Sequence, residues 1–330
     1  MKDNDKEPKQ HYGQFRKLKS STLKQGMTRR SALGLLSSGG LALMAGASAV
    51  ATGRVAQAAG NANPQQITAL VFDAYGTLFD VFLPVFNRAR EIYGTGYNDL
   101  LYQTLIQVWR LKQLEYSWLR TLINQYEDFY SCTLSALDFA LRSVGIDPES
   151  DPAKRDALAS RYFTLDAYPE ALEVLTTLKS RGYKLAILSN GSTDMLQQVV
   201  VANNMQNVLD KWISVDQVGV FKPNPRVYSL AGPELGVPRQ QILFVSSNSF
   251  DVLGAKSYGL QTAWIRRSAT LPQVADAMPS SVSPNTLFGI LRGRQEFQEE
   301  TSYLPDYVVL PPAATPTQGL RGLLTLPPLL

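Results

Sequence analysis

The chain has 330 residues, 45% of them hydrophobic, with 32 Lys and Arg against 28 Asp and Glu, which is enough apolar material for a sizeable core in one or two domains. The net charge of +4 sits at one end: ten of the basic but only three of the acidic residues fall within positions 1–58, leaving 22 basic against 25 acidic beyond Ala58. That mildly acidic remainder carries no interleaved basic and aromatic stripe, which excludes nucleic acid as a partner.

Residues 1–58 read as an export signal. Thr28-Arg29-Arg30-Ser31 holds a twin-arginine pair, Ala32–Ala51 is a weakly apolar stretch, and Ala56-Gln57-Ala58 is a small-residue cleavage site. The stretch is about long enough to span a bilayer, but Ser37-Ser38-Gly39-Gly40 and its many alanines make a poor lipid helix. The polar run before Met27 makes that residue a second candidate start. Twin-arginine signals serve proteins that fold before export, so the expected partner is that export machinery and the expected location the periplasm or beyond. The only histidine, His11, precedes the cleavage site. A mature chain without histidine excludes Ser-His-Asp triads, Cys-His pairs and His-ligated metals. Cys132 is the only cysteine, so no intrachain disulfide can form, and it reads as a small core residue.

Beyond Ala58, short apolar runs alternate with amphipathic stretches, the pattern of an α/β fold built on a Rossmann-like parallel sheet. Strands are predicted at Ile67–Phe72, Lys184–Leu188, Trp212–Val215 (the weakest), Ile242–Val245, Thr262–Ile265 and Asp306–Leu310. Helices are predicted at Pro169–Arg181, Asp194–Asn203, Pro225–Leu235 and Asp251–Ser257. The stretch 81–165 breaks the alternation: it has no strong strand, and Tyr102–Ile123 and Tyr126–Val144 carry long helical periodicity. It reads as an all-helical cap subdomain inserted into a core made of 59–80 and 166–310. The pattern weakens over Leu271–Ser302, and the Pro-rich tail 311–330 is expected to be poorly ordered.

Ligands of open parallel sheets bind beyond the carboxyl ends of the strands, where the strand order reverses. The polar residues just past each run are Asp73, Tyr75 and Thr77, then Ser189 and Asn190, then Lys222, then Ser246, Ser247, Asn248 and Asp251. Asp73 ends the run Ala69-Leu70-Val71-Phe72 and precedes Gly76, so its carboxylate can face a ligand while the backbone turns away. An isolated Asp there would more often cap local amides. Lys222 shifts that balance, because a cation beside the carboxylate would favour its anionic form and offset charge developing there. With no histidine and no reactive cysteine available, Asp73 is the best nucleophile on offer.

These residues carry a family resemblance. Phe72-Asp73-Ala74-Tyr75-Gly76-Thr77-Leu78-Phe79-Asp80 resembles the first motif of the haloacid dehalogenase superfamily, and in particular its L-2-haloacid dehalogenase branch. The match continues in Trp109–Arg120, Leu188–Ser192, Phe221–Tyr228 and Phe244–Asp251, covering roughly residues 66–270. The resemblance implies hydrolysis of small L-2-haloalkanoic acids to D-2-hydroxy acids. Asp73 would attack C2, expel halide with inversion and leave an ester, which water then opens at the Asp73 carbonyl. Lys222 would pair with Asp73, while Thr77, Ser246, Asn248 and Asp251 orient these groups and the water. Arg110, Asn190 and Phe250 would cradle the halide, and Ser189 with nearby amides would bind the substrate carboxylate. Tyr75, Leu114 and Phe129 would form an apolar wall, and Tyr228 would support the site. A homodimer is also implied.

Two residues depart from the common pattern. Phe250 stands where many members have Trp, and Leu111 follows Arg110 where Gln is common, which suggests a more apolar pocket. The main rival reading is a phosphatase of the same superfamily, which needs Mg²⁺ and a second Asp two residues after the nucleophile. That position is Tyr75, and Ser247 and Asn248 stand where a metal site wants paired acids; no metal and no cofactor are therefore expected. A non-catalytic binding protein on the same fold predicts an eroded constellation, whereas Asp73, Thr77, Arg110, Ser189, Asn190, Lys222, Asn248 and Asp251 are all present.

Overall fold

The computed structural model describes residues 66–94, 96–267, 303–314 and 318–330. The export signal and cleavage site expected within residues 1–58, and the stretch 271–302, lie outside these residues. Six strands form one sheet: β1 (Ala69–Phe72), β2 (Lys184–Ser189), β3 (Lys211–Ser214), β4 (Ile242–Ser246), β5 (Gln261–Ile265) and β6 (Tyr307–Val309). Their order is β3-β2-β1-β4-β5-β6, and every pairing is parallel. The chain runs outward from β1 through β2 to β3, then returns to the other side of β1 with β4. The order therefore reverses at β1, and Asp73 follows directly on its carboxyl end. All four residues of β1 are buried, as expected of a central strand covered on both faces.

Core helices α5 (Ala171–Ser180), α6 (Thr193–Ala202), α7 (Pro225–Tyr228), α8 (Ala231–Leu235) and α9 (Ser249–Tyr258) follow a cap of α1 (Leu83–Tyr93), α2 (Asp99–Leu122), α3 (Phe129–Ser143) and α4 (Pro152–Ala159). The long α2 starts at an Asn98 side chain that accepts the Leu101 amide at 2.9 Å, and α3 starts where Asp128 accepts that of Ser131 at 2.8 Å. These caps explain why the two helices begin three residues away from their predicted starts. Cys132 is buried in α3, and burial pushes its thiol up to about 11. Cap and core are fastened by Tyr126, which donates to Asp216 at 2.6 Å, and by the Phe221 amide on Thr121 Oγ1 at 3.0 Å.

Two expectations are corrected. Pro225–Leu235 is two short helices rather than one, because Pro233 has no amide to continue the ladder across Ser229 and Leu230. The tail is not poorly ordered over residues 318–330. It forms 3-10 turns at Gly319–Thr325 and Pro327–Leu329, and Leu320, Leu323, Leu326 and Leu329 are buried. Their three-residue spacing matches the 3-10 period, which stacks them on one side. Each such burial stabilises by roughly 1.5–3 kcal/mol. Arg181 donates to the carbonyls of Leu324 and Leu329, and Arg321 pairs with Glu173 of α5.

Candidate active site

The site starts with a turn. Gly76 takes φ 89°, a value open to glycine at no steric cost, and its amide donates to the Phe79 carbonyl at 2.8 Å. The turn brings Thr77 back over Asp73. Thr77 Oγ1 donates to Asp73 Oδ2 at 2.9 Å, Ser246 Oγ does so at 3.3 Å, and Asn248 Nδ2 at 2.7 Å. The two hydroxyls are themselves oriented by amides: Ser247 N donates to Thr77 Oγ1 at 2.9 Å, and Asn248 N to Ser246 Oγ at 3.0 Å. Asn248 occupies the N-cap of α9, yet its side chain makes no cap hydrogen bond. It turns instead to Asp73, so a local helix-capping rule yields to the site.

Asp73 Oδ1 has a different environment. Its partner is Lys222 Nζ at 3.0 Å, and the same ammonium donates to Asp251 Oδ2 at 2.8 Å. Lys222 is 1% exposed, Asp73 5% and Asp251 0%, so this is a buried triad with two anions and one cation. Burial works against the Lys222 charge, but Asp251 and Asp73 outweigh it and hold the ammonium above its usual range. For Asp251 burial dominates, and the Asp73 charge adds to it. Its carboxyl is pushed up to about 6 despite Lys222 and the Tyr228 hydroxyl, which donates to Asp251 Oδ1 at 2.7 Å.

Lys222 comes from a loop, not a strand end. Its backbone amide donates to Asn190 Oδ1 at 2.9 Å, which ties that loop to the end of β2. Opposite lies the cap. Arg110, 5% exposed, donates to Gln113 Oε1 at 2.7 Å and to the Tyr75 carbonyl at 3.4 Å. The ring of Tyr75 packs 6.0 Å from Phe129 and 5.9 Å from Tyr162. It fits because residue 191 is glycine: a Cβ there would lie 2.7 Å from the Tyr75 ring. Burial, reinforced by Tyr162, drives the Tyr75 hydroxyl well above the usual phenol range.

Asp73, Tyr75, Arg110, Leu114, Phe129, Ser189, Asn190, Lys222, Asn248 and Phe250 together line a cavity of about 10 Å³, room for the centre of one water molecule. Tyr75 Oη, Arg110 Nε and Asn248 Oδ1 are buried there without a hydrogen-bond partner among the described residues, and are thus available to a ligand. The residues singled out from sequence divide in two. Those ten meet at the cavity, whereas Thr77, Ser246 and Asp251 stand behind Asp73 and Lys222 and do not line it. Two placements are corrected. Tyr228 does not line the cavity and so is not a substrate contact: it supports the site from behind Asp251, fully buried, with its ring 5.5 Å from Phe244. Leu111 is 44% exposed, because one residue along a helix turns about 100° away from the face of Arg110; it does not make the pocket more apolar. Among the described residues, no group of three or more His, Cys, Asp or Glu side chains is arranged to hold a metal ion.

Two pairs escaped the sequence reading. Gln113 holds Arg110 from behind and is itself held by Thr133 of α3; the signal for Gln113 is its three-residue spacing from Arg110, which shares a helix face, whereas Thr133 meets it only through tertiary packing. Arg267, two residues past the end of β5, pairs with buried Glu170 at 2.6 Å and donates to the Thr77 carbonyl. Inspecting the polar residue past the fifth strand, as for the others, finds it.

Residues 67–259 match the family model for haloacid dehalogenase-like hydrolases. The chain is 44% identical over 207 residues to (S)-2-haloacid dehalogenase 4A of Burkholderia cepacia, covering 63% of this chain and 86% of that protein. It is 42% identical over 243 residues to an (S)-2-haloacid dehalogenase of Xanthobacter autotrophicus, covering 74% and 91%. A solved structure of the L-2-haloacid dehalogenase from that organism, with chloropropionic acid covalently bound, superposes with a TM-score of 0.68 at 39% identity, covering 78% of this chain and 98% of that one.

Proposed function

The chain belongs to the haloacid dehalogenase-like hydrolases, and on that premise we propose that it hydrolyses the carbon–halogen bond of small (S)-2-haloacids, with Asp73 as nucleophile. The observation that carries this reading is the asymmetry of the Asp73 carboxylate. Oδ2 takes up three donors, whereas Oδ1 accepts one, from Lys222. Oδ1 therefore keeps a lone pair for attack while Oδ2 anchors the group.

In the first step Oδ1 bonds to C2 as the carbon–halogen bond breaks, and the halide leaves with the bonding electrons. No proton moves, so no acid is needed at position 75. This favours dehalogenation over phosphoryl chemistry, where the leaving alcohol must be protonated. Arg110, with Asn190 and Phe250 beside it, meets the departing anion. The Ser189 hydroxyl lies at the cavity for the substrate carboxylate. In the second step water adds to Cγ of Asp73, the ester bond from Cγ breaks, and the C2–O bond stays intact. One water proton ends on the product hydroxyl and the other leaves as Asp73 returns to its anion. Lys222 is the counterion of the Asp73 carboxylate before it attacks, and it offsets the negative charge that builds on the carboxyl when water adds in the second step.

The test is halide release from (S)-2-chloropropionate, with and without EDTA, beside phosphate release from phosphate monoesters. EDTA-insensitive halide release is expected; EDTA-sensitive phosphate release without halide release overturns the reading. Residues 1–58 are read as a twin-arginine export signal because the arginine pair, apolar stretch and cleavage site occur in order. Periplasmic activity lost on replacing Arg29 and Arg30 by Lys is the expected outcome of cell fractionation. The homodimer implied by the resemblance is an expectation for light scattering.

A further inference from the structure

Arg110 is a buried cation whose hydrogen-bond partners are both neutral, the Gln113 amide oxygen and the Tyr75 carbonyl. Among the described residues no carboxylate lies within ion-pair distance of it, so its charge remains for the cavity it lines. What aims that charge is a relay through the cap. Gln113 is 0% exposed and lies one turn along α2 from Arg110. Thr133 of α3 gives its single hydroxyl proton to the Phe129 carbonyl at 2.7 Å. Toward Gln113 it therefore offers only lone pairs. Gln113 must present Nε2 to Thr133, at 2.7 Å, and Oε1 to Arg110 Nη1, also at 2.7 Å. The direction of each hydrogen bond fixes the next, and the relay runs between two cavity residues, Phe129 and Arg110.

We propose that Gln113 is a positioning residue which, held by Thr133, turns the Arg110 guanidinium toward the departing halide and so decides how poor a leaving group the site accepts. This rests on the dehalogenase reading above. A neutral amide oxygen orients Arg110 without cancelling its charge. A carboxylate at position 113 would hold the same guanidinium in an ion pair and reduce the charge available to the halide. Chloride, the poorer leaving group, depends on that charge more than bromide does.

The test is single-turnover halide release from (S)-2-chloropropionate and (S)-2-bromopropionate by the wild type, Gln113→Glu and Thr133→Val. Removing one oriented donor from a developing anion costs about 10²–10³-fold. Gln113→Glu is accordingly expected to slow chloride release about 100-fold and bromide release only about tenfold. Thr133→Val, which leaves the Arg110–Gln113 contact but removes the Thr133 acceptor from the amide, should raise the bromide preference about threefold. A merely structural defect lowers both rates alike and leaves the preference unchanged. If Gln113→Glu does not fold, Thr133→Val alone decides. An unchanged bromide preference in the folded variants overturns the role of Gln113. A wild type that releases neither halide overturns the dehalogenase reading instead, and this proposal with it.

Discussion

Lys222 Nζ donates to Asp73 Oδ1 at 3.0 Å, in a contact where the side chains are 1% and 8% exposed. The geometry makes one ammonium the counterion of both Asp73 and Asp251. Replacing Lys222 with Met leaves two carboxylates buried without a cation, so the pair must take up a proton. Turnover is expected to fall at least about 10³-fold, and breaking the buried pairing to destabilise the fold by about 3–5 kcal/mol. Steady-state kinetics beside urea unfolding checks both; a variant with near-normal turnover contradicts the account.

The raised Asp251 carboxyl sets the acid limit of activity. Asp251 is ionised above about 6, and in that form it holds Lys222. As pH falls through about 6 it takes up a proton, and Lys222 loses one of its two carboxylate partners. A profile of kcat/KM should therefore fall on the acid side with an apparent midpoint near 6, a value that belongs to the coupled triad. An acid limb in the ordinary carboxylate range, near 4, contradicts this.

Gly191 leaves space for the Tyr75 ring. Because an added Cβ would meet a ring carbon at 2.7 Å, Gly191→Ala must displace Tyr75 from the wall. Overpacking of this kind costs about 1–3 kcal/mol, and activity on 2-chloropropionate is expected to drop by about tenfold. Kinetics and thermal unfolding of the variant report the two effects separately.

How much of this was legible in the sequence follows from the range of each interaction. Asp73 was legible because the buried run before it and Gly76 after it are local. The strands were legible as alternating apolar runs, and the observed ones fall within two residues of the predicted ones; their spatial order is set by tertiary packing. Tyr228 was assigned to the site, but its partner Asp251 is 23 positions away, and only tertiary packing shows that the two meet behind the wall. Leu111 required a helical projection that the linear motif hides. The tail illustrates competing signals: its prolines suggested disorder, while leucines at every third position encoded 3-10 turns that bury one side.

That tail also covers a buried ion pair. The Leu320 amide donates to Glu170 Oε1 at 3.4 Å, and Glu170 holds Arg267, which in turn donates to the Thr77 carbonyl. Ending the chain after Ala314 removes the four buried leucines Leu320, Leu323, Leu326 and Leu329 and exposes that pair to water. The expected result is a loss of several kcal/mol of stability with a lower kcat. Chemical unfolding of the truncated enzyme tests it, and unchanged stability shows that the packed tail contributes nothing.

The most direct test of Asp73 as nucleophile is a single turnover of (S)-2-chloropropionate in H₂¹⁸O with enzyme in excess, followed by mass spectrometry of the peptide containing Asp73. The ester route places ¹⁸O in the Asp73 carboxylate and leaves the product hydroxyl unlabelled after that first turnover. Label in the product alone would mean that water attacks C2 directly, and would contradict the account.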